Sequence, residues 1–271
     1  MRASSEAALA QARDRWEPVL REVGDRSRDL GEQLFAVVDI LDGSASLRRA
    51  LTDPSREGQD KAQLAAAVLA GRVDPAVVDL VSGLVRERWS DAGDLAEAVE
   101  SLAVTSVLAA AERAGRLETV EDETYRVVRM FAEERDLRMA IEDRAVSGER
   151  RAALLDAVLG GKVVEETLVL AVRAARSLRR RSVTAALRAV TELAAERRKH
   201  IVASVTSAVP LTNAQIERLS AILSRSYGKE VEVHVGLDPE LVGGVRVQVG
   251  DDVIDGTLST RLAEARRRLA G

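Results

Sequence analysis

The stretch DAGDLAEAVESLAVTSVLAAAERAG, residues 91–115, decides how the rest of the chain is interpreted. Its composition predicts one long helix, whose apolar and small residues follow more than one side. One stripe consists of Leu95, Val99, Leu102, Ser106 and Ala109, and a second consists of Val104, Val107, Leu108 and Ala111. A helix that is apolar on several sides needs neighbours on several sides. We therefore expect this central helix to close one group of helices and to open the next.

A repeat with a period of ninety residues surrounds the central helix. When the chain is shifted by ninety positions, four segments align without gaps. The matched segments are Phe35–Val38 with Tyr125–Val128, Leu47–Asp53 with Leu137–Asp143, Lys61–Leu64 with Arg151–Leu154, and Val68–Val73 with Val158–Val163. This period is longer than a solenoid unit of about 20–50 residues, and it has the size of a small domain. The repeat therefore predicts a duplicated helical domain.

The predicted fold is mainly α-helical with a small α+β module at the C-terminus. We expect two bundles of about six helices each, which share the central helix at 91–115. Residues 1–94 form an extra N-terminal helical repeat, residues 95–200 form the second bundle, and residues 201–271 form the module.

The helical period ends after His200, where apolar residues begin to alternate with polar ones. Alternation of this kind predicts strands. The pattern indicates a β-α-β-β-α unit, with strands at 201–207, 231–235, 245–249 and 253–254 and a helix that begins near Thr212. The last helix is predicted from the apolar stripe Leu258, Leu262, Ala265 and Leu269.

Several short motifs predict where helices begin and end. Asp74-Pro75 and Ser147 are typical of helix starts, because their side chains cap free backbone N–H groups and proline suits the first turn. Thr212 and Gln215 have the spacing of a capping box. Pro18 predicts a kink or a restart, because proline inside a helix costs about 3 kcal/mol.

Composition limits the possible functions. The chain has 271 residues, 46% hydrophobic and 31% charged, with a net charge of −4 and only 2% aromatic residues. It therefore has no overall basic field for nucleic acid. The absence of cysteine excludes a disulfide framework and a thiolate metal site. No run approaches the roughly 18 apolar residues that span a bilayer, so we expect a cytosolic protein or one held at a membrane only by partners.

Three features could suggest a cofactor, and each has a simpler explanation. His200 and His234 have no neighbouring ligand motif for a metal. Gly160-Gly161-Lys162 lacks the remaining residues of a phosphate loop and is better explained as a helix ending. Gly243-Gly244 lacks dinucleotide-binding spacing and indicates a bend between strands. The sequence thus predicts no metal, no cofactor and no catalytic residue.

A basic run begins at Arg173 and Arg176 and continues through Arg179, Arg180 and Arg181. The run has no aromatic platforms of the kind that bind single strands. A solvated helix face is the favoured interpretation, and a docking surface for acidic partners is the next.

Five segments resemble the delta subunit of the F-type ATP synthase, the family that includes the mitochondrial oligomycin-sensitivity-conferring subunit. They are VTSAVPLT at 205–212, YGKEV at 227–231, DPELVGGVRVQVGDDVIDGTL at 238–258, AERAGRL at 111–117 and LLDAVLGGK at 154–162. The resemblance covers about residues 95–271. Residues 1–94 depart from it, because an ordinary delta chain would begin near Leu95.

The resemblance implies a non-catalytic stator subunit that lies on the cytoplasmic face of the plasma membrane and meets the membrane only through the complex. Its expected partners are the N-terminal helices of the alpha subunits and the b-type peripheral stalk subunits, with no nucleic acid. Helix-in-groove binding of this kind needs apolar surface between helices. The candidate interface residues are Leu102, Leu108, Leu168, Val172, Leu258, Leu262 and Leu269. The family-motif positions with an expected structural role are Gly243, Gly244, Gly250, Asp255 and Gly256. The alternative is a free-standing helical adaptor or a nucleic-acid-binding regulator.

Overall fold

A computed structural model describes residues 2–178, 182–227, 230–238, 241, 243–249 and 252–255. It confirms a mainly helical protein with a small α+β module at the C-terminal end. Contacts divide the chain into two compact units, residues 1–194 and residues 195–271. No helix in the described ranges is both long and apolar enough to cross a membrane.

The helical unit contains two successive sets of helices. The first set is α1 (Ala3–Val23), α2 (Ser27–Gly43), α3 (Ala45–Thr52), α4 (Gly58–Leu69), α5 (Pro75–Arg86) and α6 (Ala92–Arg113), with a short 3-10 turn at Gly24–Arg26. The second set is α7 (Leu117–Glu133), α8 (Arg135–Glu142), α9 (Gly148–Leu159), α10 (Glu165–Arg176) and α11 (Val183–Lys199). Helices α2 to α5 begin and end ninety positions before α7 to α10, which confirms the repeat seen in the sequence.

Equivalent hydrogen bonds recur in the two sets. The backbone N–H of Asp74, at the start of α5, donates to Gln33 Oε1 at 2.6 Å. Ninety positions later, the backbone N–H of Val164 donates to Glu123 Oε2 at 2.9 Å. In both sets a side chain of the longer helix, α2 or α7, thus ties down the loop before α5 or α10. The repeat therefore extends from the helix bounds to individual contacts.

The central helix α6 is buried on nearly all sides. Every residue of its two predicted stripes is buried, and Asp91 caps its start by accepting a hydrogen bond from the N–H of Gly93 at 2.7 Å. It packs against α1, α2, α3 and α5 of the first set and against α7 and α10 of the second. Its core includes Leu34 and Val38 from the first set and Leu170 from the second. The central helix α6 therefore contacts helices of both sets, as we expected from its several apolar sides.

Helices α2 and α6 cross closely at Gly31. A Cβ added to Gly31 would lie 2.9 Å from both the carbonyl oxygen of Ala103 and Cγ2 of Val107. These distances are shorter than ordinary van der Waals contact. Only a residue without a side chain therefore allows the two helices to approach so closely.

We expect Gly31→Ala to lower the free energy of unfolding by about 1–2 kcal/mol, since overpacking outweighs the gain of about 1 kcal/mol in helix propensity. Gly83→Ala in α5 is the matched control, because a Cβ there meets nothing within 4 Å. That change should stabilise the protein by about 0.5–1 kcal/mol. Urea unfolding of both variants measures the difference. Equal changes in the free energy of unfolding for Gly31→Ala and Gly83→Ala would contradict the close crossing of α2 and α6.

The predicted helix starts are confirmed, and of the kink or restart predicted at Pro18 the restart is wrong. Asp74 and Ser147 cap α5 and α9 through their side chains. Helix α1 runs through Pro18 without interruption. Pro18 lies on the exposed side, while Trp16 and Leu20 are buried beside it. Burial of those two large side chains, worth about 1.5–3 kcal/mol each, outweighs the missing hydrogen bond.

The C-terminal unit contains β1 (His200–Ser207), α12 (Asn213–Tyr227), β2 (Glu230–Leu237), β3 (Val245–Val249) and β4 (Asp252–Asp255). The strand order is β2-β1-β3-β4, with β1 and β2 parallel and the other pairs antiparallel. Helix α12 packs on β2. The core consists of Ala203, Val205, Leu223, Val231, Val247 and Val249.

The elements of this unit agree with the predicted strands and the first predicted helix. Thr212 and Gln215 form the expected capping box, because the N–H of Thr212 donates to Gln215 Oε1 at 2.8 Å and the N–H of Gln215 donates to Thr212 Oγ1 at 3.3 Å. The β3–β4 hairpin is present. Its turn at Gly250 and the predicted last helix with Leu258, Leu262 and Leu269 lie outside the described residues.

Candidate partner-binding site

The structure separates the predicted interface residues into three groups. Leu102 and Leu108 on α6 are fully buried in the protein's own core. Leu168 and Val172 on α10 are half-buried at the surface of the helical unit. The remaining three, Leu258, Leu262 and Leu269, lie outside the described residues. A docking helix could contact α10 directly, but it could not reach Leu102 or Leu108 without opening the core.

A shallow groove runs between α2 and α10 and includes Val172. Its volume is about 260 Å³. Its apolar part comes from Phe35 and Ala36 on α2 and from Val169 and Val172 on α10, and its charged edge is formed by Glu32, Asp39, Arg173 and Arg176. The groove is built from both repeats, because α2 belongs to the first and α10 to the second.

Arg173 anchors α10 against the first repeat. Its side chain is only 7% exposed, and its Nη1 lies 2.6 Å from Asp39 Oδ1, while its Nε lies 3.5 Å from Glu100 Oε1. The guanidinium also lies 4.9 Å from the centre of the Phe35 ring, in a cation–π contact. A charge can be buried when it is paired in this way. The interpretation of the basic run as a solvated face is therefore wrong for Arg173, although Arg176 is exposed.

A second ion pair joins the start of α7 to α10. Arg116 donates to Glu166 from Nη2 and, at 3.2 Å, from Nε. Burial raises the pKa of the Glu166 carboxyl, but the hydrogen bond and charge of Arg116 outweigh that effect, so the net pKa lies below the ordinary value for glutamate. Glu166 therefore stays ionised. The pair ties the first turn of α10 to the start of α7.

Backbone conformation explains the two family-motif glycines that the structure describes, Gly243 and Gly244. Gly243 and Gly244, directly before β3, have φ angles of 66° and 80°. This left-handed region favours glycine, because other residues place Cβ too close to the backbone there. Asp255 pairs with Arg246 in the β3–β4 ladder, and Gly250 and Gly256 lie outside the described residues.

The glycines at the end of α9 are explained in the same way. The backbone N–H of Gly160 closes the last turn of α9 by donating to the carbonyl of Asp156. Gly161 follows with a φ angle of 70°. This geometry is typical of a helix ending. The predicted helix ending at Gly160-Gly161-Lys162 is thus confirmed.

Sequence reasoning missed the role of Arg173 in joining the repeats. The position ninety residues earlier is Gly83, so the two repeats differ there by a large charged side chain. Positions at which aligned repeats differ in charge are candidates for contacts between the repeats. Such a comparison could have identified Arg173, but not its partners.

The arrangement offers grooves and charged edges for binding other chains. Within the described ranges, no group of three or more His, Cys, Asp or Glu residues could hold a metal ion. Two helical repeats joined to an α+β module, with a groove that half-buried apolar side chains line, define the class of a protein-binding subunit.

The chain belongs to the ATP synthase delta (OSCP) subunit family, whose model matches residues 104–269. It is similar to the ATP synthase subunit delta of Beutenbergia cavernae, with 57% identity over all of both chains. The subunit delta of Kineococcus radiotolerans is 48% identical over 98% of this chain and 97% of its own, and that of Streptomyces griseus is 44% identical over all of both. These relatives align with residues 1–94 as well, which lie outside the family match.

The protein is therefore a peripheral stalk component of the F-type ATP synthase and acts as a non-catalytic stator subunit. This membership sets aside the free-standing adaptor and the nucleic-acid-binding regulator. Among solved structures, a chain of the Toxoplasma gondii mitochondrial ATP synthase hexamer aligns at 16% identity over 62% of this chain and 95% of that chain, with a TM-score of 0.28. That score is too low to support an argument about the fold.

Proposed function

We propose that the helical unit binds the N-terminal helices of the alpha subunits and that the C-terminal module binds the b-type stalk subunits. By holding both, the chain links the catalytic head to the stalk on the cytoplasmic face of the plasma membrane, so that the head does not turn with the rotor. In this proposal residues 1–94 are an added helical repeat, residues 95–200 are the delta-type bundle, and residues 201–271 are the module.

The α2/α10 groove is the main support for alpha-subunit binding. Its half-buried valines on α10 offer apolar contact to an amphipathic helix. Glu32 and Asp39 on one side and Arg176 on the other can pair with charges that flank the apolar stripe of such a helix. Because α2 contributes half of the groove, the added repeat takes part in the site in this proposal. Leu168 and Val172 keep their predicted role here.

The support for stalk binding is an apolar area at one end of the sheet. Val209 follows β1, and Leu237 ends β2, where it pairs with Ser207. Both side chains are largely exposed. Exposed apolar groups that lie together often mark sites of protein binding. We infer that a stalk helix covers them.

Calorimetric titration with a synthetic N-terminal peptide of the cognate alpha subunit tests the head contact. We expect Val172→Asp in the full chain to weaken binding about tenfold or more, because an apolar contact is lost and a charge is placed in the groove. Met139→Asp on α8, where the side chain is already exposed, should bind as the parent chain does. An unchanged affinity for Val172→Asp, with both variants melting normally, would contradict the groove assignment.

The stalk contact has a separate test. Val209→Asp should weaken binding of the soluble part of the cognate b subunit and leave alpha-peptide binding unchanged. Loss of both activities would point to misfolding, and loss of neither would contradict the stalk surface.

A further inference from the structure

A second groove lies in the second repeat, where residues of α7, α8 and α11 surround it; we call it the α7/α11 groove. Its volume is about 400 Å³, within the range of about 300–1,000 Å³ that is usual for small-molecule sites. Tyr125 lines it from α7, Arg138 from α8, and Thr184 and Arg188 from α11. These residues all belong to the helical unit, residues 1–194. The groove is therefore large enough to hold one small organic ligand.

The charged groups in the lining of this groove are mostly positive. They belong to Arg129, Arg138, Arg188 and Glu192, so guanidinium groups outnumber carboxylates three to one. Arg129 pairs with Glu133 at 2.9 Å, but both side chains are mostly exposed, so this pair is worth little. Among the residues that the structure describes, Arg138 and Arg188 have no ion-pair partner. Cations gathered in a concave site attract a multiply charged anion.

Two of the three arginines are absent from the first repeat. Ninety positions before Arg129 and Arg188, the chain has Asp39 and Ala98. Asp39 pairs with Arg173 of α10, and Ala98 is fully buried. The positive charge of the α7/α11 groove is therefore a property of the second repeat and not of the helical fold that both repeats share.

The third arginine, Arg138, has an arginine as its equivalent, but the two side chains are bonded differently. Arg48 in the first repeat donates from Nη1 to the carbonyl oxygens of Leu41 at 2.6 Å and Asp42 at 3.1 Å, near the end of α2. Within the described ranges, Arg138 makes no such bond to the end of α7. Its guanidinium is therefore available to a ligand in the groove.

Tyr125 adds an exposed aromatic ring to these charges. It is 57% exposed, although only 2% of the chain is aromatic. Its equivalent in the first repeat, Phe35, is 6% exposed and lies beneath the guanidinium of Arg173. An accessible aromatic ring beside cations is the arrangement on which nucleobases stack, because every base has a flat π-face.

The lining thus has two kinds of binding group, and the ligand must use both. A planar guanidinium matches the oxygens of a phosphate group with two parallel N–H···O bonds, and Tyr125 matches a base. We propose that the α7/α11 groove binds a nucleoside di- or triphosphate, with its phosphates on Arg138 and Arg188 and its base on Tyr125. This proposal does not depend on the alpha-subunit and stalk contacts proposed above.

Calorimetric titration of the full chain without Mg²⁺ tests the site, with ATP, adenosine, pyrophosphate and sulfate as separate titrants. We expect ATP to bind with a Kd of about 0.1 mM. Sulfate and adenosine should bind at least about tenfold more weakly, because each uses only one kind of group in the lining. Pyrophosphate should bind about fivefold more weakly than ATP, since it lacks the base. ATP binding should also weaken as salt rises from about 50 to 300 mM.

Variants assign the two halves of the ligand. Arg138→Ala and Arg188→Ala should each weaken the binding of both ATP and pyrophosphate about tenfold. Tyr125→Ala should weaken ATP binding about fivefold and leave pyrophosphate binding unchanged. Arg150→Ala, on the exposed face of α9, removes one positive charge elsewhere and should bind every titrant as the parent chain does. Thermal melting of each variant shows that the fold is intact.

Three results would overturn the proposal. The first is no binding of ATP, or binding of sulfate as tight as that of ATP. The second is ATP binding that Arg188→Ala leaves unchanged while the variant melts as the parent chain does. The third is binding of pyrophosphate as tight as that of ATP, with no effect of Tyr125→Ala; the groove would then be a site for inorganic phosphates, and the nucleotide assignment would be wrong.

Discussion

A fragment that ends at residue 94 is expected to stay unfolded in isolation, whereas a fragment that ends at Gly115 is expected to fold cooperatively. Helix α6 begins only at Ala92, so the shorter fragment lacks nearly all of it. Helices α1, α2 and α5 would then expose the side chains that pack on α6, such as Leu34 and Val38. Each large apolar side chain returned to water costs about 1.5–3 kcal/mol, and a domain is stable by only about 5–15 kcal/mol.

Circular dichroism melting and the dispersion of amide proton resonances distinguish the two fragments. The 1–115 fragment should melt in one sharp transition, and the 1–94 fragment should show none. A 1–115 fragment that carries Leu102→Asp controls for length, because it keeps every residue but places a charge in the core; we expect it to behave as the shorter fragment does. If the 1–94 and 1–115 fragments melt alike, the first set of helices does not need α6 to fold, and the prediction is wrong.

Trp16→Ala is expected to lower the free energy of unfolding of the full chain by about 3–5 kcal/mol, the range for removal of a large buried aromatic side chain. Trp16 lies in α1, is 2% exposed, and donates from Nε1 to Ser106 Oγ at 2.8 Å. The substitution leaves a cavity between α1 and α6. Ser106 keeps its own bond to the carbonyl of Leu102, also at 2.8 Å, so the loss comes mainly from packing.

Two further variants separate packing from hydrogen bonding. Trp16→Phe retains most of the aromatic volume and should cost about 1–2 kcal/mol, which includes the lost hydrogen bond. Trp89→Ala removes a tryptophan that is only partly buried and bonds within its own segment, to the carbonyl of Leu84, and it should cost less than Trp16→Ala. Urea unfolding followed by circular dichroism measures all three. A cost below about 1 kcal/mol for Trp16→Ala would show that α1 does not pack on α6 in this way.

Trp16 and Ser106 also show how the duplicated unit is assembled. They occupy equivalent positions, ninety residues apart, in the first helix of each repeat. Ser5 bonds to Asp94 and Arg13 to Ser101 in nearly the same register. Helices α1 and α6 therefore run side by side in the same direction. The central helix thus packs beside the helix that lies ninety positions before it in the chain.

The sequence predicted the local elements well because each depends on neighbours along the chain. The capping residues Asp74, Ser147 and Thr212 are all confirmed, since a cap needs only a side chain within a few positions of free N–H groups. The helix does not restart at Pro18 because the local cost of the proline was smaller than the gain from burying Trp16 and Leu20 at a distance. The interface residues on α6 were misplaced for a related reason: surplus apolar surface indicated a partner, and the added repeat supplies that partner within the chain.

The sequence by itself determined the helical class, the ninety-residue duplication, the C-terminal α+β module and, through the motifs at 205–258, the family. These follow from periodicity and from short motifs, which depend on residues close together in the chain. Only the tertiary structure decided that Leu102 and Leu108 face inward, that Arg173 is buried against Phe35 and Asp39, and that one groove lies between the repeats while another stays open on α7 and α11. Helical periodicity shows which face of a helix is apolar, but the helix that covers this face is chosen by packing between residues far apart in sequence.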